Sequence, residues 1–182
     1  MDKKEEKKLL RRQIKDKRKK LSPRYCVEAD EKIFQRLISL GEYQEADIVC
    51  CFVGTEQEVD TLPILKHVLD SRKRLGVPKC LDFGVMEMRE IKELSELVSG
   101  AYGILEPMDT CPIIMPEEIS FICVPCLTCT REGKRLGYGG GFYDRYLPKV
   151  SCKKAVLCRK ELMVEDVPLE EHDRYMDYVI TD

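Results

Sequence analysis

Apolar residues in this chain follow two rhythms: a repeat of three to four residues, and short unbroken runs. Over residues 2–21 a thin stripe at Leu10, Ile14 and Leu21 threads otherwise charged sequence and predicts a helix. Ser22-Pro23 follows as an N-cap with proline at the first helical position. Ala29, Ile33, Leu37 and Leu40, spaced four, four and three apart, predict a second helix, which Gly41 is expected to end. Ile48–Val53 is a short apolar run of the kind found in strands buried on both faces. Thr61 is placed to cap a helix reaching Ser71, with Leu65, Val68 and Leu69 inward. Arg74–Pro78 and Gly84–Met88 carry weaker strand patterns, and Ile119–Val124 a clear one that stops at Pro125. Gly139–Leu147 reads as a loop entering a helix, and Lys154–Leu157 and Tyr178–Ile180 close the chain as strands. The alternation predicts an α/β fold: a single-domain, largely parallel open sheet flanked by helices, with an N-terminal basic helix. Ligands of such sheets gather at the carboxyl ends of the strands.

Length and composition narrow the class. The 182 residues fit one domain, residues 1–182, without repeats or a linker. At 43% hydrophobic and 35% charged, the chain can build one core, and no apolar run approaches membrane-spanning length. The opening MDKKEEKKLLRRQ has no apolar segment of the secretory kind, so a cytoplasmic location is expected, with the ten cysteines mostly reduced. Residues 1–20 hold eleven Lys/Arg and four Asp/Glu; with the whole chain at −2, that local +7 leaves −9 on the other 162 residues. A basic arm on an acidic body suits an anionic partner, either nucleic acid or a nucleoside triphosphate, although charge runs are commonly just solvated.

The most informative stretch is Gly133–Leu147, with five glycines in the nine residues from Gly133 to Gly141, between a buried strand and a helix. Glycine accepts positive φ and lets backbone approach a ligand closely, so successive amides there form an anion cradle. Arg135 adds a planar fork suited to phosphate oxygens. The string is neither a Walker loop nor a dinucleotide fingerprint, because Phe142-Tyr143 stands where Lys-Ser/Thr would be. The two aromatics can stack on a planar ring, and Asp144 is a carboxylate of the kind Mg²⁺ takes alongside phosphate oxygens.

RLGYGGGFYDRYL (Arg135–Leu147) resembles the signature of the 5-formyltetrahydrofolate cyclo-ligase family, also called methenyltetrahydrofolate synthetase. Further matches run in the family's order: Lys7 and Arg11 in KKLLR, Glu58-Val59-Asp60-Thr61, Val77-Pro78-Lys79, Gly103–Pro107, and Val124-Pro125. One segment departs from the family, which usually has a small-apolar and Phe-Asp stretch where this chain has Cys126-Leu127-Thr128-Cys129-Thr130-Arg131. The resemblance implies cyclisation of 5-formyltetrahydrofolate to 5,10-methenyltetrahydrofolate with ATP and Mg²⁺, through a phosphorylated formyl intermediate, releasing ADP and phosphate. It implies Arg135 and Lys7 as catalytic residues. Nucleotide binding falls to Lys7, Arg11, Arg135, Gly137, Tyr138, Gly139, Gly140, Gly141, Phe142 and Tyr143. Folate binding falls to Val53, Glu58, Tyr138, Gly139, Gly140, Gly141 and Phe142, and metal binding to Asp144 and Asp173. A monomer acting on a small-molecule substrate, without nucleic acid or membrane, is expected.

Residue chemistry supports these roles unevenly. Lys7, Arg11 and Lys15 lie four apart on one helix face, as a cationic cover for a triphosphate would. A Glu58 carboxylate can accept two hydrogen bonds from a pterin, yet a lone loop glutamate is more often simply exposed. Asp173 sits in an acidic turn, and His172 reads as a surface residue. Glu106 either caps a turn before Pro107 or faces a cleft. Cys123, Cys126 and Cys129 have the C-x2-C-x2-C spacing of iron–sulfur proteins, with Cys111-Pro112 as a conceivable fourth ligand. Buried reduced cysteine is the commoner explanation.

Overall fold

Along each central strand, side chains alternate between two cores. In β1 (Ile48–Cys51), Val49 and Cys51 enter one core while Ile48 and Cys50 enter the other. The computed structural model, which describes every residue except Met1, Glu171, His172 and Arg174, repeats this division across the sheet. His172, expected at the surface, lies outside the described residues. The first core is covered by α2 (Pro23–Ile38), α3 (Gly41–Glu45) and α4 (Leu62–Asp70), through Ile33, Leu37, Tyr43, Leu65 and Val68. The second takes Ile14 from α1 (Lys3–Arg18), and Tyr146 from the single turn α5 (Phe142–Tyr146).

The remaining strands are β2 (Arg74–Asp82), β3 (Val85–Ile91), β4 (Leu97–Ser99), β5 (Leu105–Pro107), β6 (Ile113–Ile114), β7 (Phe121–Val124), β8 (Thr128–Cys129), β9 (Arg135–Leu136), β10 (Lys153–Leu157) and β11 (Tyr178–Ile180). Seven form one sheet in the order β11-β10-β7-β1-β2-β3-β6. The first five run parallel, with Val49 opposite Phe121 and Val124 opposite Val156. The β2–β3 and β3–β6 pairs are antiparallel, so the expected parallel sheet carries an antiparallel edge. Two small ribbons, β4–β5 and β8–β9, stand beside it.

Several local expectations shift for identifiable reasons. Ser22 is the N-cap of α2, its Oγ accepting from the Tyr25 amide at 3.1 Å. Gly41 does not simply end that helix; it is the first residue of α3 and has no positive φ. Thr61 stands at the N-cap of α4 but spends its hydroxyl elsewhere, donating to Phe52 O and accepting from the Gly54 amide, both at 2.8 Å. Asp60 accepts from the Leu62 amide in its place. No helix among the described residues is long and apolar enough to cross a membrane.

One buried ion pair joins α2 to the carboxyl end of the sheet. Arg159, just past β10, donates to both carboxylate oxygens of Asp30 at 2.7 and 2.8 Å and to Glu58 O at 2.7 Å. Asp30 also accepts from the Asp60 amide at 2.9 Å. The Arg159 and Asp30 side chains are 6% and 12% exposed, so removing one partner strands the other's charge. Asp30→Ala is expected to cost about 3–5 kcal/mol. Asp30→Leu combined with Arg159→Met should recover most of that loss. Guanidinium unfolding of the three proteins checks this; an unmoved midpoint for Asp30→Ala would show the clamp to be dispensable.

Candidate active site

A cleft of about 440 Å³ opens at the carboxyl ends of β1, β2 and β7. Its walls include Val53 and Glu58 after β1, Cys80 in β2, Glu106 in β5, and the loop from Gly137 to Asp144. Parallel pairing sends the β1 and β7 chains out on the same edge, which is why segments 70 residues and more apart meet there.

The glycine loop is held by arginines that occupy its carbonyl groups. Arg11 Nε donates to Gly137 O at 2.9 Å, Arg145 Nη1 donates to Gly140 O at 3.2 Å, and the Arg145 amide donates to Gly141 O at 3.1 Å. By contrast, none of the five amide N–H groups from Gly137 to Gly141 donates a hydrogen bond among the described residues. Gly139 and Gly141 have φ of +105° and +71°, and a Cβ on Gly141 would sit 2.6 Å from Arg145 Nη1. Glycine is thus required at 139 and 141 by backbone conformation, and at 141 also by the close approach of Arg145. That donor array fits a polyanion. The helix behind it is one turn long, so the amides themselves, more than a macrodipole, supply the attraction.

Arg135 lies underneath. It donates to Asp144 Oδ1 at 2.5 Å and to Pro125 O at 3.0 Å, with its guanidinium 5.8 Å from the centre of the Tyr143 ring. Its side chain is 6% exposed, so its charge is largely spent on Asp144. Among the described residues nothing hydrogen-bonds Asp144 Oδ2, which leaves one oxygen for a hard cation.

Lys7 and Asp173 form a separate, nearly closed pair. Lys7 Nζ donates to Asp173 Oδ2 at 2.6 Å and to Glu170 Oε2 at 2.7 Å, and both the Lys7 and Asp173 side chains are 9% exposed. Burial alone would lower the Lys7 pKa, but the hydrogen bonds to Asp173 and Glu170 outweigh it and raise it above 10.5. This anchorage of α1 is therefore complete below that pH and is lost only as pH rises through the higher folded value. Asp144 and Asp173, expected as metal ligands, each sit against a different cation. Neither Lys7, Arg11 nor Asp173 lines the cleft; Arg11 touches the loop through Gly137 O. Lys15 is exposed, while Arg18, three residues on, donates to Tyr138 Oη at 3.2 Å and to Gln57 Oε1.

Two carboxylates face the cleft without a Lys or Arg partner among the described residues. Glu58 accepts from the Thr55 amide at 3.0 Å, and Glu106, 6% exposed, accepts from the Cys80 amide at 3.2 Å. Burial pushes the Tyr138 phenol up, with the Glu58 carboxylate adding to the effect. Burial likewise pushes the Cys80 thiol up to about 11, reinforced by Glu106. The opposite wall is apolar: Phe83, Met86, Tyr102 and Phe142, the last two meeting edge to face at 6.2 Å. Tyr102 holds φ at +60°, a strained setting for a non-glycine residue at the rim.

Sequence similarity agrees with this geometry. The family model of the 5-formyltetrahydrofolate cyclo-ligase family matches residues 3–182. The chain belongs to the 5-formyltetrahydrofolate cyclo-ligase family. Among its relatives, the Escherichia coli K12 5-formyltetrahydrofolate cyclo-ligase is 28% identical, the match covering 92% of this chain and 96% of that one. The probable cyclo-ligase of Schizosaccharomyces pombe is also 28% identical, over 82% and 81%. The NMR structure of Aquifex aeolicus 5,10-methenyltetrahydrofolate synthetase superposes with a TM-score of 0.85 at 31% identity, covering 96% of this chain and 88% of that one. Within the cyclo-ligase family frame, Val53, Glu58, Arg135, Gly137–Phe142, Tyr143 and Asp144 converge on one cleft. Glu106, for which the sequence left a turn cap and a cleft position open, faces the cleft; Cys80, Tyr102, Arg18 and Arg145 carry no sequence signal that marks them as site residues.

Thiolate is the reactive form of cysteine, so Cys80 should be alkylated slowly at pH 8, about tenfold faster per pH unit until its pKa is approached. Glu106→Gln removes the charge that helps keep the thiol protonated and should speed the reaction at pH 8. Peptide mass spectrometry of iodoacetamide-treated protein checks both. Equal rates in the two proteins would mean Glu106 does not act on Cys80.

Proposed function

We propose that the chain closes 5-formyltetrahydrofolate to 5,10-methenyltetrahydrofolate, consuming ATP with Mg²⁺ and releasing ADP and phosphate. One observation carries this reading: a loop whose five amides donate no hydrogen bond among the described residues borders a carboxylate-bearing apolar cleft and is contacted by Arg11 and Arg18 of α1. The cleft takes the pterin, whose amino and ring N–H groups find acceptors in Glu58 and Glu106. Phe142 and Tyr102 flank its planar rings. The triphosphate lies on the loop's amides, with Arg11 and Arg18 beside it.

The chemistry asks for alignment and charge neutralisation more than for a protein nucleophile. The formyl oxygen attacks the γ-phosphorus and ADP leaves. The neighbouring nitrogen then attacks the formyl carbon and gives up its proton to solvent, and phosphate departs with the former formyl oxygen. The amides of Gly137–Gly141 hold the transferring phosphoryl oxygens in place. Mg²⁺, when bound, neutralises phosphate charge, and Asp144 is the residue placed to hold it. Lys7 acts by fixing α1 over the loop.

Absorbance of the methenyl product should appear only when ATP, Mg²⁺ and 5-formyltetrahydrofolate are present together; silence from well-folded protein would refute the reading. Two substitutions should separate the subsites. Glu58→Gln is expected to raise KM for the folate, and Arg11→Met to raise KM for ATP, each by an amount on the order of 1–3 kcal/mol in binding. A crossed pattern would reverse the placement of the two substrates.

A further inference from the structure

Three cysteines that the proposed chemistry does not use come together beside the cleft. The Sγ atoms of Cys126, Cys129 and Cys158 all lie within 4.8 Å of one another. Among the described residues, no other group of three His, Cys, Asp or Glu side chains is so placed. The fold explains the convergence. β7 and β10 pair in parallel with Val124 opposite Val156, so the residues just past their ends, Cys126 and Cys158, are neighbours. The β8–β9 ribbon then folds back, held by hydrogen bonds from Leu127 N to Leu136 O and from Val164 N to Cys129 O, and delivers Cys129 to the same point. Cys123 is not a member. It lies inside the paired stretch, opposite Ala155 of β10, and faces the other core with Cys51, so the C-x2-C-x2-C spacing does not describe the cluster.

We propose that Cys126, Cys129 and Cys158 form a zinc site with three thiolate ligands and one exchangeable position. Three sulfurs around a Zn–S distance of about 2.3 Å stand about 3.8 Å apart in a tetrahedron, within reach of the observed cluster. Cys126 and Cys129 supply the C-x2-C knuckle common to structural zinc sites, and soft thiolates favour such an ion over Mg²⁺ or Ca²⁺. The fourth position has a candidate space. A second cavity of about 20 Å³ borders Cys126 and Cys158 and is lined by Gln57, Glu58, Arg18 and Tyr138. That volume admits one water among polar groups. Zinc binding displaces three thiol protons to solvent, with no redox change. The site braces Cys126–Arg131, the stretch in which the chain departs from the family pattern, and it stands independently of the substrate assignment above.

Reduced, metal-free protein titrated anaerobically with Co²⁺ tests this. The expected result is thiolate-to-cobalt charge-transfer absorption saturating at one ion per chain, bleached by added Zn²⁺. Cys158→Ser and Cys126→Ser should each weaken Co²⁺ binding by roughly tenfold or more. Cys80→Ser should leave it unchanged. Cys126 is less enclosed than Cys158, so its variant keeps the test informative if Cys158→Ser fails to fold by circular dichroism. Absence of the band, its persistence in folded Cys126→Ser, or its loss in Cys80→Ser would each overturn the proposal. So would formation of a Cys126–Cys158 disulfide in air at the same rate with and without Zn²⁺.

Discussion

The guanidinium of Arg135 holds two separately folded pieces in one register: the end of β7 through Pro125 O, and α5 through Asp144 and the ring of Tyr143. A loop with glycine at four of its five positions from 137 to 141 is costly to order, because glycine loses more conformational freedom than any other residue. Its own side chains contribute almost nothing to that cost. The ordering therefore comes from outside, and it comes through the carbonyl groups. Arg11 takes Gly137 O, and Arg145 takes Gly140 O through its side chain and Gly141 O through its amide. With these carbonyls engaged, the amides, which donate to nothing among the described residues, are left as a fixed set of donors. Arg135 sets the platform from which that polarity is built, so its buried charge serves geometry first.

This changes how the basic N-terminus is understood. A run of Lys and Arg is usually a solvated face. Here Lys3 donates to Leu169 O, Lys7 to Asp173 and Glu170, Arg11 to Gly137 O, and Arg18 to Tyr138 and Gln57. Ile14 alone in that helix is a buried apolar anchor. The helix is attached to the body chiefly by charge and hydrogen bonding. It can therefore carry cations to the loop without a large apolar seam that would close the approach to the amides.

What was legible in the sequence follows from where physical constraints are local. β1, β7 and β10 are buried on both faces, and continuous apolar runs announced them. Ser22 and the glycine loop declare themselves through cap and turn chemistry. Strands of two or three residues, such as β6, β8 and β9, carry no periodicity to detect; pairing defines them. The same holds in the site. Glu58, Tyr138 and Asp144 lie within motifs. Glu106, Cys80 and Arg18 reach it through β5, β2 and α1, elements whose relative placement no local pattern encodes. The cysteines make the point most sharply. Spacing grouped Cys123 with Cys126 and Cys129, whereas strand alternation sends Cys123 to the opposite core and parallel pairing brings in Cys158, 29 positions beyond Cys129.

Charge is segregated around the loop in a way that constrains any ligand pair. The cleft side offers Glu58 and Glu106, acceptors without cationic partners among the described residues, in an otherwise apolar wall. Arg11 and Arg18 of α1 contact the loop itself, Arg11 at Gly137 O and Arg18 at Tyr138 Oη. A polyanion seated in the cleft would face two carboxylates in low dielectric, which is unfavourable by several kcal/mol per like pair. A donor-rich heterocycle seated among the arginines would leave their charges unanswered. The two sets of groups thus discriminate by repulsion as much as by attraction, and the loop that borders both is mostly glycine, so ligands can approach its backbone closely. Two unlike ligands that meet at one loop need that combination: separate electrostatic preferences, and few side chains to hold them apart.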